Sequence, residues 1–384
     1  MRSGPAIGLL MTSLALRNLL HDKVRTIVTL TGIVFSVVLV GIQVGLFLGF
    51  IATTANLIDH SGADLWIASS RIPFVEVGVP FSERKLYQVR ATRGIAQAEK
   101  LNIRFSQWKR PDGGQASAEI VGFDPASGLG GPWNLVEGSI AELKRPDTVM
   151  IDQFYSKKLG VTHLGQIVEI RNHRARVAGF TSGIRTFTTS PLVFTSFKNS
   201  IGYTLVSEDQ TVFILAKAKP GMDLDRLKAD LLARVPDVDV CTTREFSWRT
   251  SRYWMLGTGA GATLIFGAVL GLAIGFAVVA QTIYAATVDH IREFGTLKAI
   301  GASNHYIYLI ILKQAAASAV AGYVVGIALV LCAASLSRYS GAALLVPSSV
   351  AAALFVLTLA MSLSAALLSI NRVMRIDPAM VFKG

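Results

Sequence analysis

The residues of this sequence that could carry out chemistry are few and widely spaced. The six histidines do not form an H-E-x-x-H motif or another ligand cluster, and they are His21, His60, His163, His173, His290 and His305. His163 and His173 are ten residues apart and could converge on a metal or haem, but ordinary surface positions explain them more simply. Neither a G-x-x-x-x-G-K-S/T phosphate loop nor a G-x-S-x-G nucleophile motif occurs. We therefore predict a non-enzymatic chain with no catalytic residue, metal site or cofactor of its own.

Segment 284–303 is a short charged stretch between two long apolar runs. Arg292, Glu293 and Lys298 lie off an apolar stripe that recurs every three residues. The stripe consists of Ile291, Phe294, Leu297 and Ile300. Two glycines within the segment favour a bend entering and a bend leaving a short helix. We predict a helical turn lying across the ends of two membrane helices, the alternative being a solvated loop.

The elements that flank this segment are too apolar for a soluble domain. Of the 384 residues, 52% are hydrophobic and only 16% are charged. A membrane span needs about 20 apolar residues to cross roughly 30 Å of hydrocarbon. Four charge-free stretches meet this requirement, and they are 26–58, 254–288, 314–337 and 339–371. The sequence therefore predicts four transmembrane helices, with a large mixed segment between the first and the second.

The distribution of basic residues predicts the topology. The net charge of +12 is not accompanied by a nucleic-acid motif. Basic residues flank the spans on one side, at Arg2, Arg17, Lys23, Arg25, Arg292, Lys298, Arg372, Arg375 and Lys383. Among the short connections only Arg338 lies on the other side, and the basic residues of the long segment between the first two spans are no objection because long translocated domains are exempt from the charge rule. By the positive-inside rule both termini and the 289–303 segment are cytoplasmic. We expect a multi-pass inner-membrane protein whose first span is an uncleaved anchor.

Glycines recur every four residues in the first two spans, at Gly41, Gly45 and Gly49 and at Gly267, Gly271 and Gly275. Small residues at this spacing let helix backbones approach closely. The alternative is that glycine is simply common in membrane helices. Within the spans Lys313 is the exceptional charged residue, whereas transporters of ions or polar substrates usually keep several. The sequence indicates close-packed helices without a polar pathway.

The segment between the first two spans alternates β-like and helical runs. Strands are predicted at 63–67, 116–121, 149–151, 167–170, 177–180 and 212–215, and a helix at 223–234. Cys241 and Cys332 are placed too differently to form a disulfide. The predicted fold class is an α-helical membrane protein with four transmembrane helices and an α+β extracytoplasmic domain inserted between helices 1 and 2.

The predicted boundaries divide the chain into nine parts. They are a cytoplasmic amphipathic helix 1–26, a first span with stalk 27–58, the periplasmic α+β domain 59–252, a second span with stalk 253–288, the cytoplasmic turn 289–303, a third span 304–337, a short outer loop 338–347, a fourth span 348–371 and a cytoplasmic tail 372–384.

Several motifs resemble the FtsX-like, MacB-type permease family of ABC transporters. Residues 292–302 are similar to its R-E-x-G-x-L-x-A-x-G-A signature. Further similarity lies at 16–19, 23–26, 135–138, 158–161, 164–168 and 375–379. Residues 313–314 depart from the family, many members of which keep a glutamate early in the third span. The moderate outer domain and the lack of a fused nucleotide-binding domain look most like the DevC permeases of heterocyst glycolipid export.

The resemblance implies a homodimeric permease with three kinds of partner. These are a separate ABC ATPase that binds ATP and Mg, a membrane-fusion adaptor and an outer-membrane channel. The ATPase-coupling residues implied are Ile291, Arg292, Glu293, Phe294, Gly295, Thr296, Leu297, Lys298, Ala299, Ile300, Gly301 and Ala302. The implied function is export of a lipid or other amphiphile. The alternative is a non-transporting FtsX-like mechanotransmitter that regulates a cell-wall hydrolase.

Overall fold

The computed structural model describes residues 23–289, 296, 303–337 and 343–373. Most of the predicted amphipathic helix 1–26, nearly all of the 289–303 turn and most of the 372–384 tail lie outside the described residues. The chain forms two compact units. One is built from Met1–Gly49 and Ala262–Gly384, and the other from Phe50–Gly261.

The helices, in chain order, are α1 (Lys23–Thr54), α2 (Asn56–Asp59), α3 (Arg84–Arg90), α4 (Ser156–Leu159), α5 (Phe197–Tyr203), α6 (Leu224–Arg234), α7 (Thr243–Arg252), α8 (Ala260–Asp289), α9 (Asn304–Ser337) and α10 (Ser348–Val373). The strands are β1 (Leu65–Ser69), β2 (Phe81–Ser82), β3 (Ile95–Lys109), β4 (Gln115–Phe123), β5 (Leu135–Gly138), β6 (Thr148–Asp152), β7 (Ile167–Ile170), β8 (His173–Thr181), β9 (Leu192–Ser196), β10 (Gln210–Thr211), β11 (Phe213–Ala218) and β12 (Val238–Thr242).

Four helices are long and apolar enough to cross a membrane. Their candidate spans are Thr26–Thr54 in α1, Ala260–Thr282 in α8, His305–Ser337 in α9 and Ser348–Leu368 in α10. A small-residue and β-branched core joins them, formed by Ile33, Val37, Val279, Ile307, Ile311, Ala315, Met361, Ala365 and Ala366. The predicted fold class, with four membrane helices and a mixed domain between the first and the second, is confirmed.

The chain reaches the second membrane helix through an interrupted path. A π-helical turn, Tyr253–Gly257, follows α7, and α8 begins only at Ala260. Gly259 has a φ of 74°, a left-handed conformation that favours glycine and ends the preceding helix. The sequence predicts one continuous apolar segment from residue 253, because every residue of this turn is apolar or small. The structure instead divides the segment at Gly259.

The mixed α/β unit Phe50–Gly261 is called the outer domain below, after its predicted side of the membrane. It has two lobes. In the first lobe, β12, β1, β11 and β3 form an antiparallel sheet in that order. Helices α3 and α6 cover one face of it through Leu86, Val89, Leu227 and Leu231. Asp223 starts α6, because its side chain accepts hydrogen bonds from the backbone N–H groups of Asp225 and Arg226.

The second lobe is a closed ring of strands. Strands β3, β4, β9, β6, β8 and β7 pair in this order, and β7 pairs back to β3. The ring encloses apolar side chains that include Trp108, Ile120, Ile151, Ile170 and Val193, all essentially inaccessible to solvent. Closure leaves these strands with few free edges.

Strand β3 belongs to both lobes. Its first half pairs with β11, from Ile95 to Leu101. Its second half pairs with β4, from Asn102 to Lys109. The 15-residue strand therefore connects the open sheet to the closed ring without a break.

Four of the six predicted strands lie within β4, β6, β7 and β8, and the other two overlap β1 and β11 but start before them. The predicted helix 223–234 is α6. The sequence did not predict β3, because its apolar alternation is interrupted by Asn102 and by charged residues such as Lys100 and Arg104. Asn102 is nevertheless fully buried, where its amide nitrogen donates to Ser200 Oγ and Thr204 Oγ1.

Candidate functional site

The predicted ATPase-coupling residues lie outside the described residues, with one exception. Thr296 is helical and exposed. The two flanking helices are described: α8 ends at Asp289, and α9 begins at Asn304. Ser303 starts α9, since the backbone N–H of Tyr306 donates to its hydroxyl at 3.3 Å. The coupling role of the segment stays a prediction.

The glycines of α8 lie against α1. A Cβ at Gly267 would be 2.8 Å from Gln43 Nε2, and one at Gly271 would be 2.9 Å from Leu39 Cδ2. At Gly275 it would overlap the side chain of Ser36. These distances are shorter than real Cβ contacts, so a larger residue would require the neighbouring side chains of α1 to shift, and α1 and α8 approach each other closely.

The glycines of α1 face different neighbours. Gly41 lies against Val330 of α9, and a Cβ at Gly49 would overlap the carbonyl oxygen of Ala343. The backbone N–H of Leu345 donates to the Gly45 carbonyl at 3.0 Å. The two triplets therefore do not pack on each other. Helix α1 instead contacts α8 on one side and α9 with the 343–345 segment on another.

The described membrane helices contain little that could bind a polar substrate. Lys313 is the one charged residue within the four candidate spans. Hydroxyl groups such as Thr282 and Thr358 donate to the carbonyl four residues earlier in their own helix. The side-chain oxygens of Gln43 and Ser362 are buried without a hydrogen-bond partner among the described residues. These helices therefore have packed interiors rather than a polar path.

Two carboxyl groups of the outer domain lie close enough to influence each other's ionisation. Glu119 on β4 is only 3% exposed, and Glu76 in the turn Val75–Val77 is partly buried. Burial raises the pKa of Glu76 to about 7, although the indole of Trp254 donates to its Oε2 at 3.5 Å. Burial, and then the charge of Glu76, raise the pKa of Glu119 well above its usual range. The pair therefore retains a proton near neutral pH.

Aromatic rings surround Trp254, in the π-helical turn. Its ring lies 4.2 Å from that of Phe187 and 5.1 Å from that of Phe74. Phe187 also contacts Phe50, at 5.4 Å. Tyr253 stacks on Phe74 at 4.2 Å. The cluster thus joins the point where the chain enters the outer domain to the point where it leaves.

The described residues hold no group of three or more His, Cys, Asp or Glu side chains arranged to bind a metal. Nδ1 of His163 lies 3.0 Å from Thr162 Oγ1, and Nδ1 of His173 lies 3.0 Å from the carbonyl oxygen of Arg171. Cys241 and Cys332 are free thiols, the first buried and the second exposed.

Sequence reasoning missed the Glu76–Glu119 pair and the cluster around Trp254. A signal existed for Glu119, which is a lone acidic residue in the apolar run 118–123. Glu76 and Trp254 are separated by 178 positions, and nothing in the sequence indicated that they meet.

The fold and these features define a class of protein: a polytopic membrane protein with a two-lobed α/β domain between its first and second membrane helices. A model of the MacB-like periplasmic core domain matches residues 26–234, and a model of the FtsX-like permease C-terminal region matches 265–378. The chain belongs to the MacB- and FtsX-type family of ABC transporter permeases. The family prediction is confirmed, and the DevC subfamily stays a prediction.

Two full-length relatives come from Mycobacterium tuberculosis. The uncharacterized ABC transporter permease Rv0072 is 27% identical over 382 residues, covering 96% of this chain and 99% of the relative. The uncharacterized ABC transporter permease Rv2563 is 25% identical over 375 residues, with the same coverage.

Two solved structures are similar to the outer domain. The periplasmic region of MacB from Actinobacillus actinomycetemcomitans is 12% identical with a TM-score of 0.36, covering 49% of this chain and 94% of that one. The extracellular domain of the transporter YknZ from Gram-positive bacteria is 13% identical with a TM-score of 0.35, covering 47% of this chain and 98% of that one.

Proposed function

We propose that this ABC transporter permease transmits force from a separate ATPase to its outer domain, which drives export of a lipid or other amphiphile. In this proposal the permease is a homodimer in the inner membrane with both termini in the cytoplasm. A membrane-fusion adaptor and an outer-membrane channel complete the pathway. The ATPase, rather than this chain, binds ATP and Mg.

The composition and packing of the membrane helices carry the proposal. Four candidate spans with a single charged residue offer no route for a polar solute. The same helices approach each other closely at Gly267, Gly271 and Gly275, where an added Cβ would force neighbouring side chains to move. Closely packed helices move together, and this favours a lever over a pore.

The segment 291–302 is the proposed contact with the ATPase. The stripe of Ile291, Phe294, Leu297 and Ile300 gives the turn an apolar side that can be buried in a partner. Its place between α8 and α9 would connect motion of the ATPase directly to two membrane helices.

A charge placed on this stripe tests the coupling. Phe294→Asp should abolish co-purification of the ATPase and stimulated ATP hydrolysis, because a buried carboxylate without a partner is strongly unfavourable. Gly301→Pro should have the same effect. Leu205→Asp is the control, since it puts the same charge on an apolar position that is 81% exposed and lies outside the coupling segment. Normal coupling in Phe294→Asp would refute the assignment.

Co-purification separates export from signalling. Capture of an adaptor and an outer-membrane channel with the permease supports export. Capture of a cell-wall hydrolase instead supports the FtsX-like alternative. The Phe294→Asp result is the same in both cases, so the two tests are independent.

A further inference from the structure

Helix α7 has two different faces. Phe246, Thr250 and Ser251 are buried, and Phe246 packs into the core of the outer domain beside Trp66 and Phe213. The helix begins with a capping box, in which Thr242 and Glu245 satisfy each other's backbone N–H groups. The core contact and the cap fix the orientation of the helix, so the opposite face is held outward.

The outward face carries a basic and aromatic stripe, which consists of Arg244, Trp248 and Arg252. These residues are four apart and therefore share one side of the helix. All three are exposed, and 60% of Trp248 is accessible to solvent. Leu256, in the π-helical turn that follows, is 70% exposed. A large indole and a leucine on the surface are costly unless something covers them.

The two arginines of the stripe are not used by the fold. Neither Arg244 nor Arg252 forms an ion pair with a described residue. The nearby acids have other partners, since Glu245 pairs with Lys228 at 2.7 Å and Asp239 pairs with Arg249. The stripe therefore presents positive charge that is not neutralised locally.

The stripe is close in sequence to a candidate membrane span. Leu256 precedes Ala260, the first residue of the α8 span, by only four residues, and four residues reach about 14 Å at most. The left-handed Gly259 interrupts the helix between them, so α7 and α8 are separate helices joined by a turn.

We propose that the stripe of Arg244, Trp248 and Arg252 docks on anionic phospholipid headgroups of the leaflet that the outer domain faces. The guanidinium groups would bind lipid phosphates, and Trp248 and Leu256 would enter the interfacial region. Arginine and tryptophan together on an exposed helix face suit this boundary, which is polar on one side and apolar on the other. The inference goes beyond the proposed function, because it concerns anchoring of the outer domain and requires neither the ATPase nor a cargo.

Fluorescence of Trp248 in nanodiscs tests the docking. The full-length permease is reconstituted in phosphatidylcholine alone or with phosphatidylglycerol, with a fraction of the lipid brominated near the headgroup. The signal of Trp248 is the difference between wild type and Trp248→Phe. We expect stronger quenching and a blue shift when phosphatidylglycerol is present.

Charge removal tests the role of the arginines. Arg244→Gln with Arg252→Gln should remove the dependence on phosphatidylglycerol, and each single variant should weaken retention of that lipid about fivefold in native mass spectrometry. Arg226→Gln is the matched control, an exposed arginine on α6 in the same domain. Equal quenching in both lipid mixtures, or an unchanged dependence in the double variant, would overturn the proposal. A Trp248 signal that no lipid quenches would assign the face to a soluble partner instead.

Discussion

Glu76 and Glu119 show how two residues far apart in sequence create a site with unusual acid–base behaviour. Neither has a cationic neighbour that lowers its pKa, and burial is the largest cause of both shifts. The indole of Trp254 donates to Glu76, so the protonation of one carboxyl group is linked to the turn that leads to α8. The sequence alone indicated that Glu119 lies among apolar residues. It could not show that Glu76 is its neighbour, because folding brings the two residues together.

The raised pKa of Glu76 predicts that stability falls as the pH rises. The folded protein keeps the proton up to about pH 7, whereas the unfolded chain releases it near the ordinary pKa of 4.5. The contribution of this group to the free energy of unfolding is therefore greatest below pH 4.5. It declines by about 3 kcal/mol as the pH rises from 4.5 to about 7. Thermal unfolding of the detergent-solubilised permease between pH 5 and pH 8 measures this decline.

Glu76→Gln should make that profile shallower and raise the melting temperature at pH 8, since the amide carries no charge to bury, while buried Glu119 keeps its own pH dependence. Glu208→Gln, at an exposed position, should leave the profile unchanged. Parallel curves for wild type and Glu76→Gln would show that this carboxyl group does not control the pH dependence.

At the scale of elements, α1 is the helix on which the membrane unit is built. It contacts α8 through the α8 glycines, and it contacts α9 and the 343–345 segment through its own. The four-residue spacing of glycine was visible in the sequence and indicated close approach. The sequence did not show which helix each triplet contacts, because the spacing identifies one face of a helix but not the helix that packs against it.

Alanine substitutions should rank these contacts. Gly49→Ala should be the most destabilising, since its Cβ would overlap a backbone carbonyl of Ala343, and Gly275→Ala should follow because it overlaps Ser36 close to the helix backbone. Gly271→Ala is the matched control, as its Cβ would meet Cδ2 and Cγ of Leu39, side-chain atoms that can rotate away, and alanine gains about 1 kcal/mol of helix propensity. Melting temperatures in detergent measure the order, and a lower value for Gly271→Ala than for Gly49→Ala would contradict it.

At the scale of the whole molecule, hydropathy was enough to predict four spans and an inserted domain. These are local properties of the sequence, and a 20-residue apolar run has few alternatives. The pairing of the strands, by contrast, is not a local property of the sequence. The closed ring joins β3 to β7, which lie about 60 residues apart, and such non-local pairing leaves no periodic signal. The sequence is compatible with a domain of two lobes, but the strand order and the closure of the ring were outside what the strand patterns could predict.

Cysteine labelling tests the predicted orientation of the whole chain. Single cysteines are introduced by Tyr87→Cys in the outer domain and Thr296→Cys in the coupling segment, in a background without Cys241 and Cys332. Both positions are exposed. An impermeant maleimide should label Tyr87→Cys in intact spheroplasts and Thr296→Cys only after permeabilisation. Labelling of Thr296→Cys from outside would reverse the assigned topology and remove the basis for an ATPase contact there.

The shared strand β3 has a mechanical consequence. A domain whose lobes were joined by a loop would absorb a push at one lobe by bending at the joint. Here the joint is a strand of about 50 Å that is hydrogen-bonded along both of its halves. A tilt of one lobe against the other would have to bend this continuous strand where its pairing passes from β11 to β4, so we expect the two lobes to move more nearly as one body than lobes joined by a loop.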